Sequence, residues 1–121
     1  MELVDLIKAL AHENRIRILN LLRQQELCVC ELESIMGVNQ SNASRHLNKL
    51  GQAKIIKYEK RAQWVYYQIN ESTLEKYPFI KELIEREFDK VRECQEDKER
   101  LLKYQESGLS CEELAESDLF A

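Results

Sequence analysis

The chain has 121 residues, 44% apolar and 33% charged, enough for one globular domain whose modest core a partner subunit would enlarge. No run approaches the ~18 to 20 apolar residues of a membrane span, and the start MELVDLIKALAHENR lacks the basic stretch and cleavage site of a secretory signal, so a cytoplasmic protein with no membrane partner is expected. The formal charge of −4 divides into −2 over residues 1–39, +5 over 40–63 and −7 over 64–121, which places a short basic segment, suited to nucleic acid, inside an acidic chain.

Leu3, Leu6, Ile7 and Leu10 follow helical spacing, as do Ile16, Leu19 and Leu22 beside Ile18, which predicts two short amphipathic helices split near Ala11-His12, with His12 starting the second. Leu27-Cys28-Val29 reads as a brief extended entry to a third helix carrying Leu32, Ile35 and Met36 and stopping at Gly37. Asn39 is a natural N-cap for a fourth helix over 40–50, with Ala43, Leu47 and Leu50 inward. Ile55 to Tyr58 and Trp64 to Ile69 are β-branched or aromatic and predict a hairpin with Lys60-Arg61-Ala62 at its tip.

One long helix is expected over 73–106, with Ile80, Ile84, Phe88, Val91, Cys94 and Leu101-Leu102 on an apolar stripe that needs a partner. Ser107-Gly108 ends it, and Ser110-Cys111-Glu112-Glu113 has the form of a capping box opening a last short helix. The predicted fold is mainly α with a small β-hairpin, a winged helix-turn-helix. Residues 1–106 form the DNA-binding and dimerisation domain, and 107–121 a mobile tail with a short helix.

The second helix of such a pair enters the major groove, where base edges present distinguishable donors and acceptors. Gln40, Ser44, Arg45 and Asn48 are suited to base edges, Arg45 to a guanine or a phosphate, and Ser41 and Asn42 to a phosphate at the helix start. Lys57, Lys60 and Arg61 would extend the contact through the wing, and His46, on the flank of the inward face, reads as a packed histidine that brushes a phosphate. No glycine-rich phosphate loop, carboxylate pair or Cys/His arrangement of catalytic type is present, so no catalytic residues are expected.

In a reducing compartment Cys28, Cys30, Cys94 and Cys111 are thiols. By themselves Cys28 and Cys30 read either as small packing residues at a strand–helix junction or as ligands. One residue apart, they lie about 200° apart on a regular helix, so they share an ion only if the helix begins between them or unwinds.

The segments KALAHENRIRILNLL, ELCVCELESIMGVNQSNASRHLNKL and WVYYQI, in this order and spacing, resemble the ArsR/SmtB family of metal-sensing winged-helix repressors over about residues 3–105. The resemblance implies a homodimer joined through its first and last long helices, bound to a palindromic duplex operator and released by its inducer. Glu33 stands where many arsenic-responsive members carry a third cysteine, Lys54 where a glycine is common before the wing, and Glu13 where a proline is common before the second helix. The zinc-sensing branch uses histidines on the last long helix, and none lies there.

Under this resemblance Cys28 and Cys30 bind a soft ion, As(III) or Sb(III), with Cd(II) or Pb(II) as alternatives. Helix starts at Cys28 and Cys111 are expected to lower their thiol pKa values. The third ligand expected is Cys111, with Cys94, on the apolar stripe, in reserve. The switch expected is a distorted start to the third helix, transmitted to the recognition helix. Competing readings are a thiol redox switch that pairs Cys28 or Cys30 with Cys111, and an interaction module that docks a protein on the acidic C-terminal helices.

Overall fold

The computed structural model describes residues 1–121 and places eight helices around a three-stranded antiparallel sheet. The two N-terminal helices are α1 (Glu2–Leu10) and α2 (Glu13–Leu22). His12 separates them with an extended backbone, and its Nδ1 accepts the Asn14 N–H at 3.1 Å, which makes it the N-cap of α2. β1 (Leu27–Cys28) leads directly into α3 (Val29–Met36).

Gly37 ends α3 in the left-handed region at φ 70°, its N–H donating to the Glu33 carbonyl at 2.8 Å, a stop that a residue with a Cβ makes at a steric cost. Asn39 then opens α4 (Gln40–Gln52), its side-chain oxygen accepting the Asn42 N–H at 2.8 Å. The helix, three-residue turn and helix are thus set by a stop and a start adjacent in sequence.

β2 (Ile56–Arg61) and β3 (Trp64–Ile69) form the wing, and β1 joins its other edge in the order β1-β3-β2. Arg61 pairs with Trp64, so the turn falls at Ala62-Gln63, slightly later than the sequence implies, with Ala62 at φ 54°. On the inner edge Leu27 faces Tyr67 and Cys28 faces Tyr66. Lys54 enters the wing at φ 63°, and its carbonyl is held by the Asn70 amide at 3.0 Å and the Thr73 hydroxyl at 2.6 Å.

The single helix expected over 73–106 is four pieces: α5 (Glu71–Lys76), α6 (Pro78–Glu85), a 3-10 turn over Glu87–Lys90, and α7 (Arg92–Ser107). Pro78 disfavours helical backbone at the residue before it, and Tyr77 is accordingly non-helical at φ −127°, ψ 78°. The second break buries Phe88, and Arg23, the C-cap of α2, closes it by donating to the Ile84 carbonyl and pairing with Asp89.

Leu19, Leu21, Leu32, Ile35, Leu47, Leu50, Ile80 and Ile84 are fully buried in one continuous core. The tail is docked rather than mobile. α8 (Cys111–Glu116) packs on α3, buries Leu114, and sets Leu109, Leu119 and Phe120 against the core. Burial of a leucine-sized side chain contributes about 1.5 to 3 kcal/mol, and several together hold a short segment that is not helical by itself.

Candidate thiol centre and nucleic-acid interface

The structure brings Cys28, Cys30 and Cys111 together, with all three sulfurs within 4.8 Å of one another. Cys28 is the N-cap of α3, outside the helix, and Cys30 is the second residue inside it, so the helix begins between them and no unwinding is needed. Their sulfurs lie 3.8 Å apart, and Cys28 Sγ is 3.3 Å from Cys111 Sγ. Cys30 and Cys111 are in bonding contact with Cα atoms 6.4 Å apart, inside the span of about 4.4–6.8 Å that linked cysteines occupy. Cys94 is elsewhere, buried on α7 near Phe88 and Leu102, its carbonyl accepting the Asn20 amide at 3.0 Å.

Burial pushes the Cys28 thiol up to about 11, and the nearby Glu31 carboxylate adds to the rise. N–H groups of Glu31 and Cys30 pull the other way, but desolvation outweighs them, so the lowering expected from a helix start is not realised at Cys28. Cys94 is also raised to about 11, by burial first and then by the Asp97 charge. In uncomplexed protein at neutral pH Cys28 is therefore a thiol, and an ion taking it as thiolate displaces a proton.

Sequence reasoning missed Glu31 and Tyr104. Glu31 is 8% exposed, and one carboxylate oxygen accepts the Cys28 N–H at 2.9 Å while the other accepts the Tyr104 hydroxyl at 2.6 Å. Burial and the Glu31 carboxylate both hold the Tyr104 phenol above its ordinary range. The available signal was Cys-x-x-Glu, a capping box with a thiol in the hydroxyl's place.

At its other end α3 is gripped by arginines. Arg17 donates to the Met36 carbonyl at 3.0 Å and Arg100 to the Ile35 carbonyl at 2.7 Å, satisfying orphan acceptors of the last turn. Both arginines also bond Asp97, which is 0% exposed: Arg17 at 2.7 and 2.8 Å, Arg100 at 2.6 Å. The carboxylate raises the Arg17 pKa further above its ordinary value, mainly through this hydrogen bond. α3, which runs from the thiols to the turn before α4, is thereby fastened to α7 at both ends.

On α4 the side chains of Gln40, Ser41, Arg45 and Asn48 are exposed, with Ser44 half-buried beside them. The Asn42 side chain is committed inward, its oxygen accepting the Asn14 amide at 3.1 Å, which ties α4 to α2. His46 is 1% exposed, so it stands behind the outward face rather than on it. Its Nδ1 accepts from Arg15 Nε at 3.1 Å, its ring lies 4.2 Å from that of His12, and Nε2 has no partner. Burial, then the positive neighbours His12, Arg15 and Arg45, lower its pKa to about 4.

On the wing Lys57 and Lys60 are exposed. Arg61 is exposed too, but Glu26 and Glu59 hold its guanidinium, which lies 5.0 Å from the centre of the Tyr66 ring. Tyr58, 68% exposed beside the lysines, is a further wing side chain that the sequence reading passed over.

Residues 12–58 match the model of the bacterial regulatory protein family, arsR family. The chain is 42% identical over 64 residues to the arsenic resistance transcriptional regulator ArsR1 of Pseudomonas putida, a match covering 52% of this chain and 50% of that one. The chain thus spans about half the length of that relative. It is 33% identical over 94 residues to a cadmium resistance transcriptional regulatory protein CadC homolog of Staphylococcus aureus, covering 77% of this chain and 73% of that one. Among solved structures, reduced HlyU from Vibrio cholerae superposes with TM-score 0.59 at 32% identity, covering 70% of this chain and 90% of that one. From the helix-turn-helix match and the long shared span with the Staphylococcus regulator, this chain belongs to the arsR family of bacterial regulatory proteins.

Proposed function

We propose that the chain is a homodimeric transcriptional repressor that holds duplex operator DNA through α4 and the wing. It lets go when Cys28, Cys30 and Cys111 take a soft metal or metalloid ion, As(III) or Sb(III) in the first place and Cd(II) or Pb(II) in the second. The observation that carries the reading is the convergence of three sulfurs from α3 and α8 at the head of the helix packed against α4. Thiolates select soft ions, and three sulfurs match the three bonds of trivalent arsenic or antimony. Relatives named for arsenic and for cadmium resistance support the same class of inducer. The exposed Leu3, Val4 and Ile7 of α1 and Leu102 of α7 supply apolar surface for the second subunit.

Within the chain, Cys111 is the member of the proposed switch that joins a second element, the docked α8, to α3. Coordination draws the three sulfurs to one ion, the head of α3 shifts against α8 and against its fastenings on α7, and α4 follows through the turn at Gly37–Asn39. Differential affinity of the ion for the shifted arrangement then lowers DNA affinity.

The test is fluorescence anisotropy on a duplex recovered by enrichment from random sequence, titrating reduced protein with arsenite. Release is expected for wild type and Cys94→Ser, and retention for the Cys28→Ser, Cys30→Ser double variant. X-ray absorption should count three sulfurs around arsenic in wild type and two in Cys111→Ser. Wild type that binds the duplex and keeps it at saturating arsenite refutes the reading.

The contact between Cys30 and Cys111 favours a second reading, a redox switch. An oxidant such as peroxide would take two electrons and two protons from these thiols and leave a disulfide. Release by peroxide, reversed by dithiothreitol and absent with arsenite, would select it.

A further inference from the structure

The chain offers one arrangement at the thiol centre that no soft ion needs as a ligand. A capping box usually relies on a Ser or Thr hydroxyl accepting an N–H from the helix, and at position 28 a thiol, a weaker acceptor, takes that place. Beside the ladder pairing of Cys28 with Tyr66, fixing the head of α3 therefore falls on the reciprocal arm, Glu31 accepting the Cys28 N–H. A carboxylate this deeply buried is held only if its oxygens are matched, and the second oxygen is matched solely by the Tyr104 hydroxyl from α7.

We propose that Glu31 and Tyr104 are positioning residues of the thiol centre. The Tyr104 hydroxyl holds the Glu31 carboxylate, and the carboxylate holds the Cys28 backbone, so α7 sets where Cys28 stands relative to Cys30 and Cys111. This rests on the reading above that the three thiols bind the ion. Trp64, Tyr66, Tyr104 and Cys111 line a recess of about 390 Å³ that also borders Glu31. Without the hydroxyl, the carboxylate has this open space to turn into, and turning there removes it from Cys28.

Arsenite titration and arsenic X-ray absorption on Tyr104→Phe, Glu31→Ala and the double variant Glu31→Gln, Tyr104→Phe test the assignment, with amide hydrogen exchange at Cys28 as an ion-free readout. For Tyr104→Phe we expect arsenite binding roughly tenfold or more weaker, the loss of one hydrogen bond to a charged group. The sulfur count should fall from three to two as Cys28 drops out, and the Cys28 amide should exchange faster while the middle of α3 does not. Adding Glu31→Gln should recover affinity, because an unmatched neutral amide costs less to bury than an unmatched carboxylate.

Glu31→Ala removes the same arm without touching α7 and should give the same two-sulfur signature, which keeps the test standing if Tyr104→Phe does not fold. Three sulfurs and wild-type affinity in both single variants overturn the assignment. A weakened Tyr104→Phe that keeps three sulfurs and is not recovered by Glu31→Gln also overturns it, since that is the pattern of lost packing. Absence of arsenic–sulfur coordination in wild type instead refutes the metalloid reading itself, and exchange at the Cys28 amide still decides whether the two residues hold that backbone.

Discussion

Lowering the pH from 7 to 4.5 should destabilise this protein through His46. Its imidazole is 1% exposed, Nε2 has no partner, and its pKa is lowered from 6.5 to about 4. A depressed folded-state pKa means that the unfolded chain takes up the proton first. The contribution is therefore complete above pH 6.5 and is lost as pH falls toward 4. Comparing the two protonation equilibria at pH 4.5 gives a loss of about 2 to 3 kcal/mol, from roughly 1.4 kcal/mol per pKa unit.

Carboxylates titrate in the same range, so the measurement is a difference. Urea unfolding of wild type and His46→Gln at both pH values and one fixed protein concentration isolates the term, because glutamine can still accept from Arg15 Nε but does not titrate. Wild type should lose about 2 to 3 kcal/mol more than the variant between the two pH values. Equal losses refute the reasoning, and so would an NMR titration placing the His46 midpoint near 6.5.

Asp97→Ala leaves Arg17 and the partly exposed Arg100 without their shared buried carboxylate, and urea unfolding should show a loss of about 2 to 3 kcal/mol. Lys54→Gly relieves a left-handed side chain and should stabilise by about 1 kcal/mol, seen as a melting temperature a few degrees higher. Arg45→Ala should weaken operator binding by about 1 to 3 kcal/mol at fixed salt. Lys57→Ala and Lys60→Ala should each lower the slope of log affinity against log salt by about one, whereas Arg61→Ala should lower it less because Glu26 and Glu59 already neutralise that guanidinium.

The elements whose ends are marked by local chemistry were legible in the sequence. Gly37, Asn39 and Ser110 each stop or cap a helix by an interaction within a few residues, and all three act in the structure as their residue types imply. The meeting of Cys28 and Cys30 followed from asking where α3 starts, and the preference for Cys111 over Cys94 from the apolar stripe that holds Cys94 and the capped tail helix that Cys111 opens. The single C-terminal helix was misread because its apolar spacing persists across Pro78, whose effect on Tyr77 is local, and across Phe88, whose burial is tertiary. The rise in the Cys28 pKa was illegible for the same reason, since the helix start is written in the sequence while the burial that outweighs it is supplied by distant segments. His46, Asp97 and Tyr104 share this character, each having its partner on another helix, 31, 80 and 73 residues away in sequence respectively.

The ladder pairing of Cys28 with Tyr66 has an implication for transplanting the proposed thiol site. Residues 27–31 carry two sulfurs and the glutamate, but their backbone is braced by a strand of the wing on one side and by a tyrosine from a distant helix on the other. Moved alone into another scaffold, the loop would bring two of the three thiols and leave behind both Cys111 and the frame that spaces them. A biosensor engineered from this protein would have to import the hairpin and the C-terminal helices with the loop, which amounts to nearly the whole domain.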